Sequence, residues 1–471
     1  MPIQIQTIDP SIFRAYDIRG EVDTQLTLDA VYTIALAIGS QMHEMGKKNI
    51  VIGRDGRLSS PALIQALRQG LIDSGRDIVD IGIVPSPVLY FASHFLNIDC
   101  AIILTGSHNP SQYNGLKMIL NGVTLADAQI QALYQRILRQ DFYKAIGTGT
   151  FREDLTISEQ YIHYITQQIQ LPRRLKVVID CGNGAAGEIA PILFSQLNAD
   201  VIPLYCEIDG RFPNHHPDPS VEANLVDLIT AVKTHQADVG LAFDGDADRL
   251  GVVTSTGHVI WPDRLMMLFS KDILQRHPQG KIVFDVKCSM HLPTVISNAG
   301  GIPLMCPTGH SLVKAKMKSV NALLAGELSG HIFFKENWFG FDDGLYSACR
   351  LLAILAKQSL SLDALFEDIP NSVNTPEIKI PLSDEHKFDF IEHLKKNGSF
   401  VDAKMIDIDG IRIEFSDGWG LLRASNTTPC LVARFEADTL TALERIQALF
   451  KCQLNLVNTS YHTPQILNIP F

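Results

Sequence analysis

Asp244, Asp246 and Asp248 alternate in the run DGDADR, immediately after the apolar stretch Val239-Gly240-Leu241-Ala242-Phe243. Three carboxylates in one short turn repel one another unless a cation holds them. An all-oxygen donor set from a single loop suits a hard divalent ion, and few protein ligands with open positions suit Mg2+ bound jointly with a substrate phosphate. An EF-hand would need Gly at the sixth place and Glu at the twelfth, where this chain has Arg249 and Ser255. The remaining alternative is a solvated acidic turn.

A second loop, TGSHNP over residues 105–110, offers the Ser107 hydroxyl in a segment that Asn109-Pro110 marks as a turn. Such a serine could be an exposed nucleophile or phosphoryl carrier, or it could simply bond its own backbone. The absence of a G-x-S-x-G elbow argues against a serine hydrolase. A third loop, CGNGAAG over residues 181–187, contains G-x-G-x-x-G after a strand and imitates a dinucleotide site. Asp180, just before it, would repel a pyrophosphate, so the glycines read better as a tight strand-to-helix turn. Basic residues recur near these loops: Arg14 and Arg19, Lys117, Lys287, His310, and Arg423 in RASNTTP. The last run adds hydroxyl and amide donors to a guanidinium, as a phosphate monoester requires.

The elements that must position these loops read as α/β. Asn49–Asp55, Lys176–Asp180 and Lys281–Asp285 are first members of three strand pairs, and Cys100–Leu104, Val239–Phe243 and Ala322–Ala325 are the second members. Continuous apolar runs of this kind are buried parallel strands. Each second member empties into a polar loop, TGSHNP, DGDADR or GELSGH, so three similar domains could aim one loop each at a shared cleft. Beyond about residue 370 strict alternation around Asp409-Gly410 signals a hairpin, and Leu440–Leu449 has helical period, giving a smaller α+β domain.

Over 471 residues the chain is 46% hydrophobic and 19% charged, with 40 Lys and Arg against 51 Asp and Glu. The net charge of −11 disfavours nucleic acid and anionic membranes as partners. The eight cysteines form no Cys-x-x-Cys pair, and no stretch is apolar enough for a membrane helix, so a cytoplasmic protein with reduced thiols is expected.

IFRAYDIRG, GRDGR, TGSHNP, DGDADR, GELSGH and RASNTTP occur here in the order of the α-D-phosphohexomutase superfamily, and the chain resembles its bacterial phosphomannomutase/phosphoglucomutase branch from Ser11 to about Asp438. Lys335–Gly344, KENWFGFDDG, is similar as well. The resemblance implies three similar α/β domains with mixed sheets, at 1–152, 153–256 and 257–369, and a smaller α+β domain at 370–471, around a central active-site cleft. It implies Ser107 as the phosphoserine, with Ser107, Asp244, Asp246 and Asp248 holding Mg2+. Arg19, His108, Lys117, Arg249 and His331 would complete the catalytic set, His331 being the expected proton acceptor and His108 and Lys117 its rivals. Glu327 and Ser329 would face sugar hydroxyls. Arg423, Ser425, Asn426 and Thr427 would hold the distal phosphate, with Tyr16, Lys287, Thr308, Gly309 and His310 as further substrate contacts. Hexose phosphates are the implied substrates, glucose or mannose 1,6-bisphosphate the activator, and a monomer the expected state. Ala247 departs from the Gly common in this motif. A phosphoglucosamine mutase, a Mg-dependent sugar phosphatase and a nicotinamide dehydrogenase stand as alternatives.

Overall fold

Parallel strands covered on both faces must be apolar on both faces, and the runs expected to be strands meet that demand. In a computed structural model, which describes residues 8–426, 428–461 and 470–471, Ile50, Val51, Ile52, Ala101, Ile102, Ile103 and Leu104 have no exposed surface. They lie in Asn49–Arg54 and Ala101–Leu104, which pair in parallel at the centre of a seven-stranded sheet. Asp77–Ile83 and Phe151–Glu153 extend it on one side. On the other, Tyr113–Leu120 returns antiparallel and carries Ile18–Glu21 at the edge, so the sheet is mixed. The helix Leu28–Glu44 packs on it; Thr27 accepts the Ala30 amide as its N-cap (3.1 Å), which fixes where the helix begins.

The second sheet repeats the scheme. Val239–Phe243 and Asp200–Leu204 flank Lys176–Asp180 in parallel, and Leu250–Thr254 turns back antiparallel. At the end of Lys176–Asp180 the carboxylate of Asp180 accepts from the Gly182 amide (2.9 Å) and meets His215 Nε2 (3.0 Å). It therefore occupies the mouth of the glycine loop, which agrees with a turn and not a pyrophosphate cradle. Further on, Lys281–Asp285 pairs in parallel with Ile302–Cys306, and Leu324–Gly326 forms a short hairpin with Ile332–Phe334.

The C-terminal sheet is antiparallel, in the order Val373–Asn374, Cys430–Ala437, Gly418–Ala424, Ile411–Phe415, Lys404–Ile406, with Ile378–Pro381 also on Cys430–Ala437. Two helices, Asp384–Asn397 and Leu440–Tyr461, cover it through Phe390, Leu394, Ile446 and Phe450. The expected hairpin is present, but its first strand stops at Ile406. The strands Lys404–Ile406 and Ile411–Phe415 leave Asp407–Gly410 between them as the connection, and Ile408 is 45% exposed. Its apolar alternation outran the sheet because the cross-strand partner ends.

The architecture is four domains, three α/β with mixed sheets and a C-terminal one whose sheet is antiparallel. By compactness the chain forms two units: residues up to Leu265 with Leu323–Glu367, and Met266–Ala322 with Asp368–Phe471. The segment 257–369 thus contributes to both.

Candidate active site

The strand Ala101–Leu104 delivers Thr105, Gly106 and Ser107 into a turn held by one buried guanidinium. Arg57 donates from Nη2 to the carbonyls of Ser107 (2.7 Å) and Asn109 (2.6 Å), and from Nη1 to those of Pro110 (2.7 Å) and Tyr113 (2.9 Å). Its Nε donates to Asp55 Oδ2 (3.1 Å), so all five N–H donors are used. Asp55 in turn accepts from Thr105 Oγ1 (2.8 Å) and the Gly106 amide (3.3 Å). Four carbonyls gathered on one planar cation fix a turn that its own sequence would leave mobile.

Ser107 adopts φ +48° and is 2% exposed. The expectation of an exposed hydroxyl is therefore corrected. The aspartate loop covers the turn, and a Cβ at Gly245 would stand 2.4 Å from the Ser107 carbonyl oxygen, so only glycine permits this approach. The Ser107 hydroxyl donates to Asp244 Oδ2 (3.1 Å) and lies 3.2 Å from His108 Nδ1.

Asp244, Asp246 and Asp248 follow the buried strand Val239–Phe243, and none has exposed surface. Each offers one oxygen within 4.8 Å of the others. Lys117, from the strand Tyr113–Leu120, donates to Asp246 Oδ2 (2.6 Å) and to Asp248 Oδ2. Ser86 donates to Asp246 from both its amide (2.9 Å, to the carbonyl) and its hydroxyl. Asp246 Oδ1 is buried without a hydrogen-bond partner, and Asp248 Oδ1 has a 3.4 Å approach from His331 Nδ1. Orphaned carboxylate oxygens in a dry three-aspartate cluster are the donor set a hard divalent cation needs, so these residues fit Mg2+. Burial, reinforced by the Asp248 and Asp246 charges, raises the Asp244 pKa well above the carboxylate range. Burial acts the same way on Asp246, but the Lys117 ammonium overrides it and holds Asp246 low. Lys117 is likewise held protonated by Asp246 and Asp248 against its burial.

Arg249 ends the loop, its Nε donating to His331 Nε2 (3.0 Å) while it approaches Asp218 and Asp244 at 3.9 Å. An imidazole that accepts at Nε2 carries its proton on Nδ1 when neutral. His331 Nδ1 faces Asp342 Oδ2 (3.1 Å) and Asp248. His108 differs: burial first, then Arg249, Arg19 and Lys117, press its pKa well below the usual imidazole value. Glu327 and Ser329 belong to the turn that carries His331. The Glu327 amide donates to the His331 carbonyl (2.9 Å), and Glu327 is buried while Ser329 is half-buried. Arg19, on Ile18–Glu21, donates to Asn109 Oδ1 (2.7 Å) and pairs with Asp17; Tyr16 stands half-buried in the bend before that strand. Ser107, His108, Lys117, Asp244, Asp246, Asp248, Arg249 and His331 are thus linked by direct contacts within one compact unit.

The other unit gathers its own charges. Lys287 Nζ meets Glu377 Oε1 (2.6 Å), and Arg423 Nε donates to Asp409 Oδ2 (2.9 Å). Although burial opposes it, the Lys287 charge holds Glu377 down to about 2. Thr308 donates its amide to Asp409 (3.0 Å) and its hydroxyl to Asp285 (2.9 Å), just before the helix His310–Val320, which Gly309 caps. Ser425 and Thr428 share a hydroxyl contact (2.7 Å), Asn426 lies in the same loop, and Thr427 lies outside the described residues.

Family models described as phosphoglucomutase/phosphomannomutase, alpha/beta/alpha domains I, II and III, match residues 10–144, 159–257 and 261–373, and the corresponding C-terminal domain matches 377–451. The chain belongs to the phosphoglucomutase/phosphomannomutase family. A phosphomannomutase/phosphoglucomutase of Pseudomonas aeruginosa is 52% identical over 458 residues, covering 97% of this chain and 98% of that protein. A phosphoglucomutase of Neisseria gonorrhoeae is 49% identical over 447 residues, 94% and 97% of the two chains. Among solved structures, a phosphoglucomutase/phosphomannomutase family protein of Burkholderia thailandensis superposes with a TM-score of 0.92 at 46% identity, covering 99% of this chain and 100% of that one.

In this family member, sequence reasoning missed the partners of the reacting groups more than the groups themselves. Asp55 and Arg57 stood in GRDGR and Asp342 in FGFDDG without roles, and Ser86 and Asp218 carried no signal. The contacts from Arg57 to Ser107 and from Ser86 to Asp246 join segments far apart in the chain, whereas Asp218 meets Arg249 and Asp342 meets His331 over shorter separations.

Proposed function

We propose that this phosphohexomutase interconverts the 1- and 6-phosphates of glucose and mannose through a phosphoserine at position 107 and a hexose 1,6-bisphosphate. The observation that carries the reading is the Ser107 hydroxyl, set 3.1 Å from Asp244 in a buried three-aspartate cluster while Arg57 holds the Ser107 carbonyl. Phosphoserine 107 gives its phosphoryl group to the free hydroxyl of a hexose monophosphate; the bisphosphate turns end for end and returns its other phosphate to Ser107. One carrier thus serves both ends, and a bisphosphate lost from the site is also the activator that recharges Ser107.

Asp244, Asp246, Asp248 and the Ser107 oxygen would hold Mg2+, which when bound supplies charge neutralisation for the transferring phosphoryl group. Lys117 and Arg249, both kept cationic by neighbouring carboxylates, balance charge on the same group. His331 serves as proton acceptor for the sugar hydroxyl, because Asp342 and Asp248 face Nδ1 and leave Nε2 as the accepting nitrogen. His108 is a poorer acceptor, since burial and three cations oppose its protonated form. Lys117 is poorer still, since a base must first be neutral. Arg249 has to release Nε2 of His331 as it turns to the phosphate.

Glu327 and Ser329 read the 3- and 4-hydroxyls, which lie near the middle of the end-for-end turn, so the 2-hydroxyl goes unread. Arg423, Ser425, Asn426 and Thr427, with Tyr16, Lys287, Thr308, Gly309 and His310, take the non-reacting phosphate and the ring. A reducing cytoplasmic setting, consistent with eight free thiols, Mg2+ as the resident ion and a monomer as the working form complete the proposal. No helix among the described residues is long and apolar enough to cross a membrane. Steady-state kinetics on glucose and mannose 1-phosphates test the reading: kcat/KM values within about a hundredfold, ~2.7 kcal/mol, are expected. A wider gap, or net phosphate release, would contradict it.

A further inference from the structure

The parallel strands Lys176–Asp180 and Asp200–Leu204, paired at Asp180 and Leu204, run one residue into Cys181 and two into Cys206. The two Sγ atoms are 3.5 Å apart, Cys181 fully buried and Cys206 half-buried. We propose that this thiol pair is an oxidation site, closing to a reversible disulfide under a hydroperoxide and acting on the aspartate loop. The sulfurs are already in contact and need approach by only about 1.5 Å to bond. Cys206 is the partly exposed member and so the one a peroxide can reach. The hydrogen-bonded contact with Cys181 holds the Cys206 pKa below the ordinary thiol value against burial. The same contact, with burial, pushes Cys181 up.

The chemistry balances with hydrogen peroxide as the oxidant. The Cys206 thiolate attacks one peroxide oxygen; the S–O bond forms, the O–O bond breaks, and hydroxide leaves, becoming water with a proton. The Cys181 sulfur then attacks the Cys206 sulfur; the S–S bond forms, the S–O bond breaks, and the departing hydroxide takes the Cys181 proton. Two thiols and one peroxide give a disulfide and two waters, and an added dithiol reverses the change.

The pair reaches the aspartates through backbone. The Gly184 amide donates to the Cys181 carbonyl (2.7 Å), the Asn183 amide to the Tyr205 carbonyl (2.8 Å), and the Ala185 amide to the Gly245 carbonyl (2.9 Å). A Cβ on Gly184 would stand 2.8 Å from that same Gly245 oxygen, so the two loops have no slack between them. Gly245 lies between Asp244 and Asp246. Drawing Cys181 toward Cys206 therefore pulls on the peptide units that set two of the three carboxylates.

The test uses the full chain with Cys452, the exposed thiol, replaced as Cys452→Ser. After peroxide, non-reducing peptide mapping is expected to give a Cys181–Cys206 cross-linked peptide that dithiothreitol removes and that Cys206→Ala and Cys181→Ala each lack. Turnover is expected to fall by about fivefold or more on oxidation and to return on reduction. Absence of the cross-link, or a cross-link to another cysteine, overturns the site. A quantitative cross-link with unchanged turnover overturns its action on the loop. The turnover arm rests on the mutase reading, and the mapping arm does not, so the two fail separately.

Discussion

Two side chains of the reacting loops sit in left-handed backbone, Ser107 at φ +48° and Ala247 at φ +57°. A non-glycine residue there is strained by about 1 kcal/mol or more and persists only where its surroundings overdetermine it. For Ser107 the surroundings are the Arg57 clamp and the Gly245 approach, and the strain aims the hydroxyl at Asp244. Ala247 has no such return: it bends the loop so that Asp246 and Asp248 converge, a task glycine performs without strain. Ala247→Gly is therefore expected to stabilise the protein by about 0.5–1 kcal/mol, net of the added freedom of the unfolded chain. Chemical denaturation checks this, and a lowered midpoint would mean that the loop relies on the alanine methyl.

The element that decides the geometry is the turn after Ala101–Leu104, and Arg57 is its keystone. Arg57→Lys keeps a charge but loses the planar fork, leaving carbonyls of Ser107, Asn109, Pro110 and Tyr113 unsatisfied. Stability is expected to drop by about 2–3 kcal/mol and kcat by more than about tenfold, whereas a variant matching the parent in both would remove Arg57 from the account. In the other unit Arg423→Ala removes charged contacts worth about 1.5–3 kcal/mol from the proposed phosphate loop. KM for hexose phosphate should rise at least about tenfold with kcat less affected, and an unchanged KM would contradict that role. The strands were legible because a run such as Ala101–Leu104 is apolar at every position, and burial on both faces permits nothing else. The aspartate cluster was legible because all three ligands lie in one turn. The Arg57 clamp and the Asp342 to His331 contact were not, because which motif meets which is set by the fold and leaves no local pattern in the chain. The burial of Ser107 was misread for the same reason, its cover being the distant Gly245.

At the scale of the whole molecule, a chain of net charge −11 concentrates cations at its loops, Arg19, Lys117 and Arg249 in one unit and Lys287 and Arg423 in the other, as the proposed handling of a dianionic sugar phosphate requires. Most of those cations are already matched by carboxylates, so the sites stay folded without substrate. What makes the machine a mutase is that phosphate returns to the protein instead of passing to water. The most direct measurement is therefore the intact mass of the purified chain, with peptide mapping, before and after exposure to a hexose 1,6-bisphosphate and then to hexose 1-phosphate. One phosphoryl group is expected on Ser107, installed by the bisphosphate, discharged to the monophosphate without release of inorganic phosphate, and absent in Ser107→Ala. A chain that turns over hexose phosphates while Ser107 never carries phosphate, or whose Ser107→Ala variant keeps activity within about tenfold of the parent, would contradict it.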